Sequence, residues 1–220
     1  PALSLDDWLV RIGRLHPRPI ELGLDRVGAV WRRMGLTLPA AVITVGGTNG
    51  KGSACAMIAE ALEMNGLRVG LYTSPHLVRV EERIRLGGKL IPAAAFRRIA
   101  GEVRETSERL RTSGALEAPP TFFEVLTAIA MLYFREKKVD IAVFEVGMGG
   151  RFDATNIVTP LVSVITNIAL DHQEYLGDTL GKIAFEKAGI IKPGVPIVTG
   201  AESRTALKVI RKRAKEEGAF

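Results

Sequence analysis

The sequence is poor in cysteine and in long apolar runs, and each shortage excludes a class of protein. Cys55 is the only cysteine in 220 residues, so the chain cannot form an internal disulfide and suits a reducing compartment. No apolar run reaches about 18 residues and the N-terminus is polar within a few positions, which predicts neither a membrane span nor a signal peptide. We therefore expect a cytoplasmic protein with no membrane partner.

Aromatic residues are also scarce, at 6 % of the chain. Basic residues are scattered despite a formal net charge of +6, and the densest stretch, Lys208 to Lys215, is expected to be a solvated helix surface. Nucleic-acid-binding proteins combine clustered cations with aromatic stacking platforms, and neither is present, so we expect no nucleic acid partner. The positive charge suits acidic small molecules instead.

Glycine, in contrast, is abundant, and it marks a change from strand to helix in segment 41–66, AVITVGGTNGKGSACAMIAEALEMNG. β-branched apolar residues lead to Gly46 and Gly47, and an apolar pattern of helical period (Met57, Ile58, Ala61, Leu62) then runs to Gly66. Glycines at 46, 47, 50 and 52 allow backbone N–H groups to close around an anion, and the helix N-terminus and Lys51 add positive charge. This stretch predicts a cradle for the phosphates of a nucleoside triphosphate.

The common P-loop pattern fails here at two positions. Val45 stands where its first glycine belongs, and Gly52 stands where Ser or Thr should follow the lysine. The form VGGTNGKGS instead resembles the ATP loop of the Mur-ligase superfamily, in which Gly-Thr-Asn-Gly-Lys is typical. The resemblance implies that the loop holds the nucleotide through Gly47, Thr48, Asn49, Gly50, Lys51, Gly52 and Ser53.

Strand and helix patterns alternate along the chain. Helices are predicted from Ser4 to before Pro17, from Asp25 to about Met34, and over 92–113, 121–138, 179–192 and 203–217. Strands are predicted over 41–46, 68–73, 140–145, 161–168 and 196–200. This alternation predicts an α/β fold, with a doubly wound, mostly parallel sheet flanked by helices and ligands at its carboxyl edge. Helix 92–113 is strongly charged and is expected to be exposed, whereas Glu145 ends an apolar strand and should bring a carboxylate to that edge.

Three further stretches, 72–84 (YTSPHLVRVEERI), 143–158 (VFEVGMGGRFDATNIV) and 165–192 (ITNIALDHQEYLG to EKAGIIK), together with HPRPIELGLDRV near the start, carry a family resemblance. In this order they resemble the folylpolyglutamate synthase and dihydrofolate synthase family, the folate branch of the Mur-ligase superfamily, and its bifunctional bacterial type above all. The resemblance implies an amide ligase. ATP phosphorylates the carboxylate of dihydropteroate or of a reduced folate, and the amine of L-glutamate attacks the acyl phosphate.

The same resemblance implies a domain organisation. Residues 1–220 would form an ATP-binding domain, with N-terminal helices and a substrate loop in 1–40 and the P-loop α/β core in 41–220. Family members are about twice this length, so the C-terminal glutamate-binding domain would be absent from this chain. We expect the isolated domain to be inactive in ligation and the full-length enzyme to be a monomer.

Further site residues follow from the resemblance alone. Two magnesium ions are implied, the first bound by Ser74 and Glu145 and the second by His172. Lys187 matches a lysine that the family carries as a carbamate, which would make it a metal ligand, and the implied catalytic residues are Lys51, Lys187 and His172. The pterin-bearing substrate would be held by Arg14, Leu15, His16, Pro17, Thr121, Phe122, Phe123, Phe152, Asp153 and Ala154.

Taken singly, these residues have ordinary structural interpretations. Ser74 could cap a turn before Pro75, His172 could be a satisfied loop histidine, and Lys187 a solvated helix lysine. Two other functions stay open. One is a Mur-type ligase acting on cell-wall precursors, against which the loops at 72–84 and 143–158 argue. The other is a nucleotide-binding regulatory or interaction domain without ligase activity.

Overall fold

The computed structural model describes residues 4–14, 23–35 and 41–220, and a seven-stranded sheet lies at its centre. The strands are β1 (Ala41–Gly46), β2 (Val69–Tyr72), β3 (Ile84–Leu86), β4 (Lys89–Leu90), β5 (Ile141–Glu145), β6 (Val162–Ile165) and β7 (Ile197–Thr199). They are arranged in the order β4-β3-β2-β5-β1-β6-β7. The pairs β2–β5, β5–β1, β1–β6 and β6–β7 are parallel, which confirms the predicted α/β class.

Helices surround this sheet, and all of them except the short helix Gln173–Leu176 lie where a helix was predicted. They are α1 (Leu5–Arg14), α2 (Asp25–Arg33), α3 (Lys51–Met64), α4 (Ala93–Thr112), α5 (Phe122–Glu136), α6 (Gln173–Leu176), α7 (Leu180–Ala188) and α8 (Arg204–Glu216). Polar caps explain several of the starts: Ser4 Oγ accepts from Asp7 N at 3.1 Å, and Thr121 and Glu124 form a reciprocal capping box. In the part of the chain that the structure describes, no helix is long and apolar enough to cross a membrane.

Apolar side chains on both faces of the sheet pack against helices, as strand alternation requires. On one face Tyr72, Phe134 and Phe144 belong to a large core that α5 enters along nearly its whole length. On the other face Val45 packs against α3, where Cys55 is fully buried. A third cluster joins the end of β6 to α7 and α8. The central strands are therefore buried, and their carboxyl ends provide a rigid platform.

Two local predictions need correction, and one hairpin was not predicted. Helix α4 is not simply exposed, because Phe96, Ile99 and Val103 are buried while its charged face forms i,i+4 pairs such as Arg98–Glu102. Met57 on α3 is 66 % exposed, so the buried face of that helix is narrower than its apolar pattern indicated. Finally, β3 and β4 form an antiparallel hairpin at the sheet edge that was not predicted.

Candidate nucleotide site

The glycine loop joins the carboxyl end of β1 to the N-terminus of α3, in the middle of the sheet edge. Gly47 and Gly50 have φ angles of 134° and 77°, values that L side chains rarely adopt. A Cβ at Gly47 would also collide with Thr166 Oγ1. The shape of the loop therefore requires glycine at position 47 for both conformational and steric reasons.

Residues directly after β6 hold this loop in place. Thr48 N donates to Asn167 O at 2.9 Å, and Asn49 N donates to Asn167 Oδ1 at 2.8 Å. Thr166 Oγ1 donates to Asn49 O at 2.7 Å, and Thr48 Oγ1 accepts from Ala169 N at 3.0 Å. Thr166 and Asn167 are not among the site residues predicted from sequence. The signal was present, because they are polar residues at the carboxyl end of an apolar strand.

The N-terminus of α3 offers free donors. Its first helical hydrogen bond runs from Ala54 N to Gly50 O, so the amides of Lys51, Gly52 and Ser53 precede the ladder. Within the described ranges no partner is recorded for these three amides. Lys51 Nζ lies above the loop and donates to Thr48 O at 3.0 Å. This set of unpaired N–H groups with one ammonium has the chemistry that phosphate oxygens require.

Glu145 brings a carboxylate to the same place from the end of β5. Its side chain is 4 % exposed, and Ser74 N donates to Oε2 at 2.8 Å. Burial raises the pKa of the Glu145 carboxyl, while the Ser74 amide and the charge of Lys51 oppose that rise. An added Cβ at Gly52 would stand 3.5 Å from Oε2, so the carboxylate faces the first turn of α3. A carboxylate beside a phosphate cradle is typical of a Mg²⁺ site.

Lys187 on α7 contacts the glycine loop. It is 2 % exposed, and its Nζ donates to Gly47 O at 2.8 Å. Burial, with a smaller contribution from Lys51, lowers the pKa of Lys187 to about 8. The interpretation of Lys187 as a solvated lysine is therefore wrong, and a substantial fraction of its amine is neutral near pH 8.

His172, predicted to bind a second ion, is more loosely placed. It is the N-cap residue of α6 with φ of 45°, its side chain is 52 % exposed, and Nε2 lies 3.6 Å from Asp171 Oδ2. No group of three or more His, Cys, Asp or Glu side chains within 4–14, 23–35 and 41–220 could hold a metal ion. The assignment of His172 to a metal stays a prediction.

The aromatic residues predicted to bind substrate lie near the start of α5 and after β5. The Phe123 and Tyr72 ring centroids are 5.9 Å apart, and the Arg83 guanidinium carbon lies 5.8 Å from the Phe122 centroid. Phe152 is 36 % exposed and carries the Arg151 guanidinium at 4.3 Å. Phe122 and Phe123 are partly buried and pack against the large core, so each ring keeps some exposed surface.

The other predicted substrate residues have structural roles or cannot be placed. Asp153 is buried and accepts from Met148 N at 2.9 Å and Thr155 N at 3.0 Å, so its carboxylate braces its own loop. Burial raises the pKa of Asp153. Ala154 is buried beside it, and Thr121 caps α5. Leu15, His16, Pro17 and the side chain of Arg14 lie outside the described part of the chain.

Comparison with known proteins gives consistent matches. Residues 45–217 match the family model of the Mur ligase middle domain. The chain is 44 % identical over 198 residues to dihydrofolate synthase/folylpolyglutamate synthase of Haemophilus influenzae, covering 89 % of this chain and 43 % of the relative. It is 49 % identical over 176 residues to folylpolyglutamate synthase of Lacticaseibacillus casei, a match that covers 80 % of this chain and 41 % of that relative.

Solved structures agree with these matches. Escherichia coli FolC in complex with DHPP and ADP superposes with a TM-score of 0.89 at 39 % identity, covering 100 % of this chain and 51 % of that one. The chain therefore spans about half the length of the relatives it matches.

Proposed function

The chain belongs to the Mur ligase middle-domain family, and from that premise we propose that it binds ATP within a ligase that joins L-glutamate to dihydropteroate or to reduced folates. One observation carries the proposal: the glycine loop, Glu145 and Lys187 converge at one sheet edge. The relatives named above support the folate substrate class. Residues 1–220 would supply the ATP-binding domain, and a second domain would complete the glutamate site.

The residues of this domain can perform the first half of such a reaction. The free amides of α3 and Lys51 would hold the β- and γ-phosphates and orient the γ-phosphorus toward the acceptor. The acceptor carboxylate attacks that phosphorus, ADP leaves, and the glutamate amine then displaces phosphate from the acyl phosphate. Positioning and electrostatic stabilisation supply most of the rate enhancement in phosphoryl transfer.

Ser74 and Glu145 fit a magnesium ion bound to those phosphates, because Glu145 is a buried carboxylate facing the anion cradle. Bound there, Mg²⁺ would neutralise phosphate charge and polarise the transferring group. His172 would hold a second ion. The pterin-bearing acceptor would lie against Phe122, Phe123 and Phe152.

We further propose that Lys187 carries a carbamate. A neutral amine adds to carbon dioxide and loses a proton, which replaces the ammonium with a carboxylate. The reaction needs a lowered amine pKa, and burial lowers that of Lys187 to about 8. The resulting anion would lie beside the Gly47 carbonyl, where it could take part in metal binding.

Two further proposals concern the cellular compartment and the oligomeric state. The single buried cysteine, Cys55, fits the reducing cytoplasm as the site of action. We also propose that the complete enzyme acts as a monomer. Neither proposal affects the chemistry of the site.

Incorporation of labelled glutamate tests the proposed function. The complete enzyme should join glutamate to dihydropteroate or tetrahydrofolate with ATP and Mg²⁺ and release ADP, but it should not use a UDP-linked cell-wall precursor. Residues 1–220 alone should bind Mg-ATP weakly and incorporate no glutamate, because transition-state positioning requires the second domain. Use of the cell-wall precursor alone would favour the other ligase, and ATP binding without any ligation by the complete protein would favour a regulatory domain.

A further inference from the structure

Arg83 is a partly buried cation to which the sequence analysis gave no role. It ends a short 3₁₀ helix, Val80–Arg83, directly before β3. Its carbonyl oxygen accepts from Thr73 N at 2.9 Å, so the backbone at Arg83 closes the loop that carries Ser74. The residue is therefore fixed next to the sheet edge where the glycine loop and Glu145 meet.

Only one nitrogen of the Arg83 guanidinium, Nε, has a hydrogen-bond partner among the described residues. Its Nε donates to His76 Nδ1 at 2.9 Å, and its central carbon lies 5.8 Å from the centroid of Phe122. Among the residues that the structure describes, no carboxylate is within ion-pair distance of Arg83, and no hydrogen bond is recorded for its two terminal amino groups. A partly buried cation of this kind is costly unless an anion joins it.

Burial lowers the pKa of Arg83, and the nearby Tyr72 and Glu145 oppose that change. An arginine nonetheless stays charged at neutral pH. The pKa of His76 is lowered by its burial and by Arg83, which keeps the ring neutral and able to accept through Nδ1. His76 thus orients the guanidinium without cancelling its charge, and the terminal amino groups keep their donors for another partner.

The position of Arg83 identifies the kind of anion. Arg83 lies near Phe122, an incompletely covered ring at the start of α5, and its charge also lowers the pKa of Glu145, the carboxyl that faces the glycine loop. An acceptor that packs its aromatic head group near Phe122 and reaches a γ-phosphate held at the glycine loop would bring its carboxylate close to Arg83. A guanidinium matches a carboxylate in a two-bond fork.

We propose that Arg83 binds the carboxylate of the acceptor through its free terminal amino groups and holds it for phosphorylation. This assignment rests on the proposed function, because it requires an acceptor carboxylic acid. Since Arg83 touches the reacting group, it is a catalytic residue of the first half-reaction. The bound class is an aryl or γ-glutamyl carboxylate joined to an aromatic head group.

Binding of an acid and of its amide separates this role from a structural one. We would measure by calorimetry the affinity of the complete enzyme for dihydropteroate, for tetrahydrofolate and for their carboxamide analogues. A non-hydrolysable ATP analogue and Mg²⁺ would be present. Wild-type protein should bind an acid more tightly than its amide. Arg83→Gln should weaken binding of the acid by about 10- to 100-fold and leave the amide unchanged, because charge-assisted hydrogen bonds are worth that much. Arg83→Lys should fall between.

Arg79→Gln is the matched control, because Arg79 lies in the same loop, is 59 % exposed and pairs with Glu81. It should keep the preference for the acid, and all variants should keep Mg-ATP affinity. Equal losses for acid and amide in Arg83→Gln would mean that Arg83 only shapes the loop, and this would overturn the inference. A wild-type enzyme that ligates glutamate but binds acid and amide equally would also overturn it while the proposed function stands. Failure to bind either acid would refute both.

Discussion

Charged side chains at the carboxyl edge of the sheet are held largely away from water, and this changes their chemistry. Burial lowers the pKa of Lys187 to about 8 and raises the pKa of Glu145. Arg83 keeps donors without a recorded partner in the described part of the chain. Buried charges and unpaired donors cost stability unless groups of opposite charge or hydrogen-bond acceptors pair with them.

Lys187 should make stability depend on pH. In the unfolded chain its pKa is near 10.5, but in the fold it is about 8, so between these values the unfolded state binds more protons. The penalty for the buried charge is complete below pH 8 and is relieved as the pH rises toward 10.5. The free energy of unfolding should therefore gain up to about 1.4 kcal/mol per pH unit from this group.

Urea unfolding of wild type and Lys187→Met in carbon-dioxide-free buffer, at about pH 7.5 and about pH 9.5, measures this term. Because all other groups are shared, the difference between the two proteins isolates Lys187. The free energy of unfolding of the wild type should increase relative to that of Lys187→Met as the pH rises. Parallel pH profiles would show that Lys187 titrates as in the unfolded chain.

The carbamate makes a separate prediction. In the complete enzyme Lys187→Ala should lose most ligase activity and regain part of it with added short-chain carboxylic acids, which can occupy the vacated oxygen position. Lys187→Arg should not be rescued, because a permanent cation fills the space. The rate of glutamate incorporation is the measurement. Wild-type rates for Lys187→Ala in carbon-dioxide-depleted buffer would refute the assignment.

Thr44, in β1 below the glycine loop, carries a buried hydroxyl without a hydrogen-bond partner in the described structure. Replacement by the isosteric Val removes this unpaired group, so Thr44→Val should raise the free energy of unfolding by about 1 kcal/mol. Thr127→Val is the control, because the Thr127 hydroxyl is equally buried but donates to Phe123 O at 2.8 Å. It should lower stability by about 1 kcal/mol. Equal effects of the two changes in urea unfolding would contradict this account.

At the scale of elements, the parts predicted from sequence are those with strong local signals. The glycine loop and its flanking β1 and α3 follow from periodicity and glycine placement, and the apolar run ending at Glu145 identified a central strand. The β3–β4 hairpin also has a sequence signal, the glycine pair Gly87-Gly88. Both residues adopt positive φ in the structure, as a tight two-residue turn requires. Its few, partly polar residues hid it.

Contacts between distant elements could not be predicted from sequence alone. No local sequence pattern indicates that Lys187 on α7 donates a hydrogen bond to the Gly47 carbonyl. The same holds for the hydrogen bond that Asn167, after β6, accepts from the amide of Asn49. Asp153 shows the opposite difficulty, since the resemblance assigned it to substrate while its carboxylate binds amides of its own loop. Family motifs give the positions of important residues, whereas their contacts depend on packing.

Close packing of the loop after β5 against α7 should be sensitive to one methyl group. Gly189 follows α7 with φ of −63°, so its backbone suits alanine, but an added Cβ would lie 2.5 Å from Arg151 Cα. Gly189→Ala should therefore lower the free energy of unfolding by about 2 kcal/mol. Gly101→Ala is the control, since the space around Gly101 within α4 is open and alanine favours helix. It should raise stability by about 0.5–1 kcal/mol, and the urea midpoints of both variants provide the test.

At the scale of the whole molecule, the sheet brings together residues far apart in sequence. The glycine loop follows β1, Ser74 follows β2, Glu145 ends β5, Thr166 follows β6, and Lys187 comes from α7. Parallel strands place these carboxyl ends at one edge, which explains why the family motifs are spread along the chain. We therefore expect this edge to bind the phosphates of Mg-ATP.

Calorimetric titration of Mg-ATP into wild type, Lys51→Ala and Lys212→Ala measures whether the glycine loop binds the phosphates. Lys51 faces the glycine loop and contributes no core packing, whereas Lys212 is an exposed lysine of α8. Wild type and Lys212→Ala should bind with the same affinity, and Lys51→Ala should lose binding at least about 10-fold without a change in unfolding midpoint, because a phosphate-facing cation is removed. Equal affinity of Lys51→Ala and wild type for Mg-ATP would show that Lys51 and the glycine loop do not bind the phosphates.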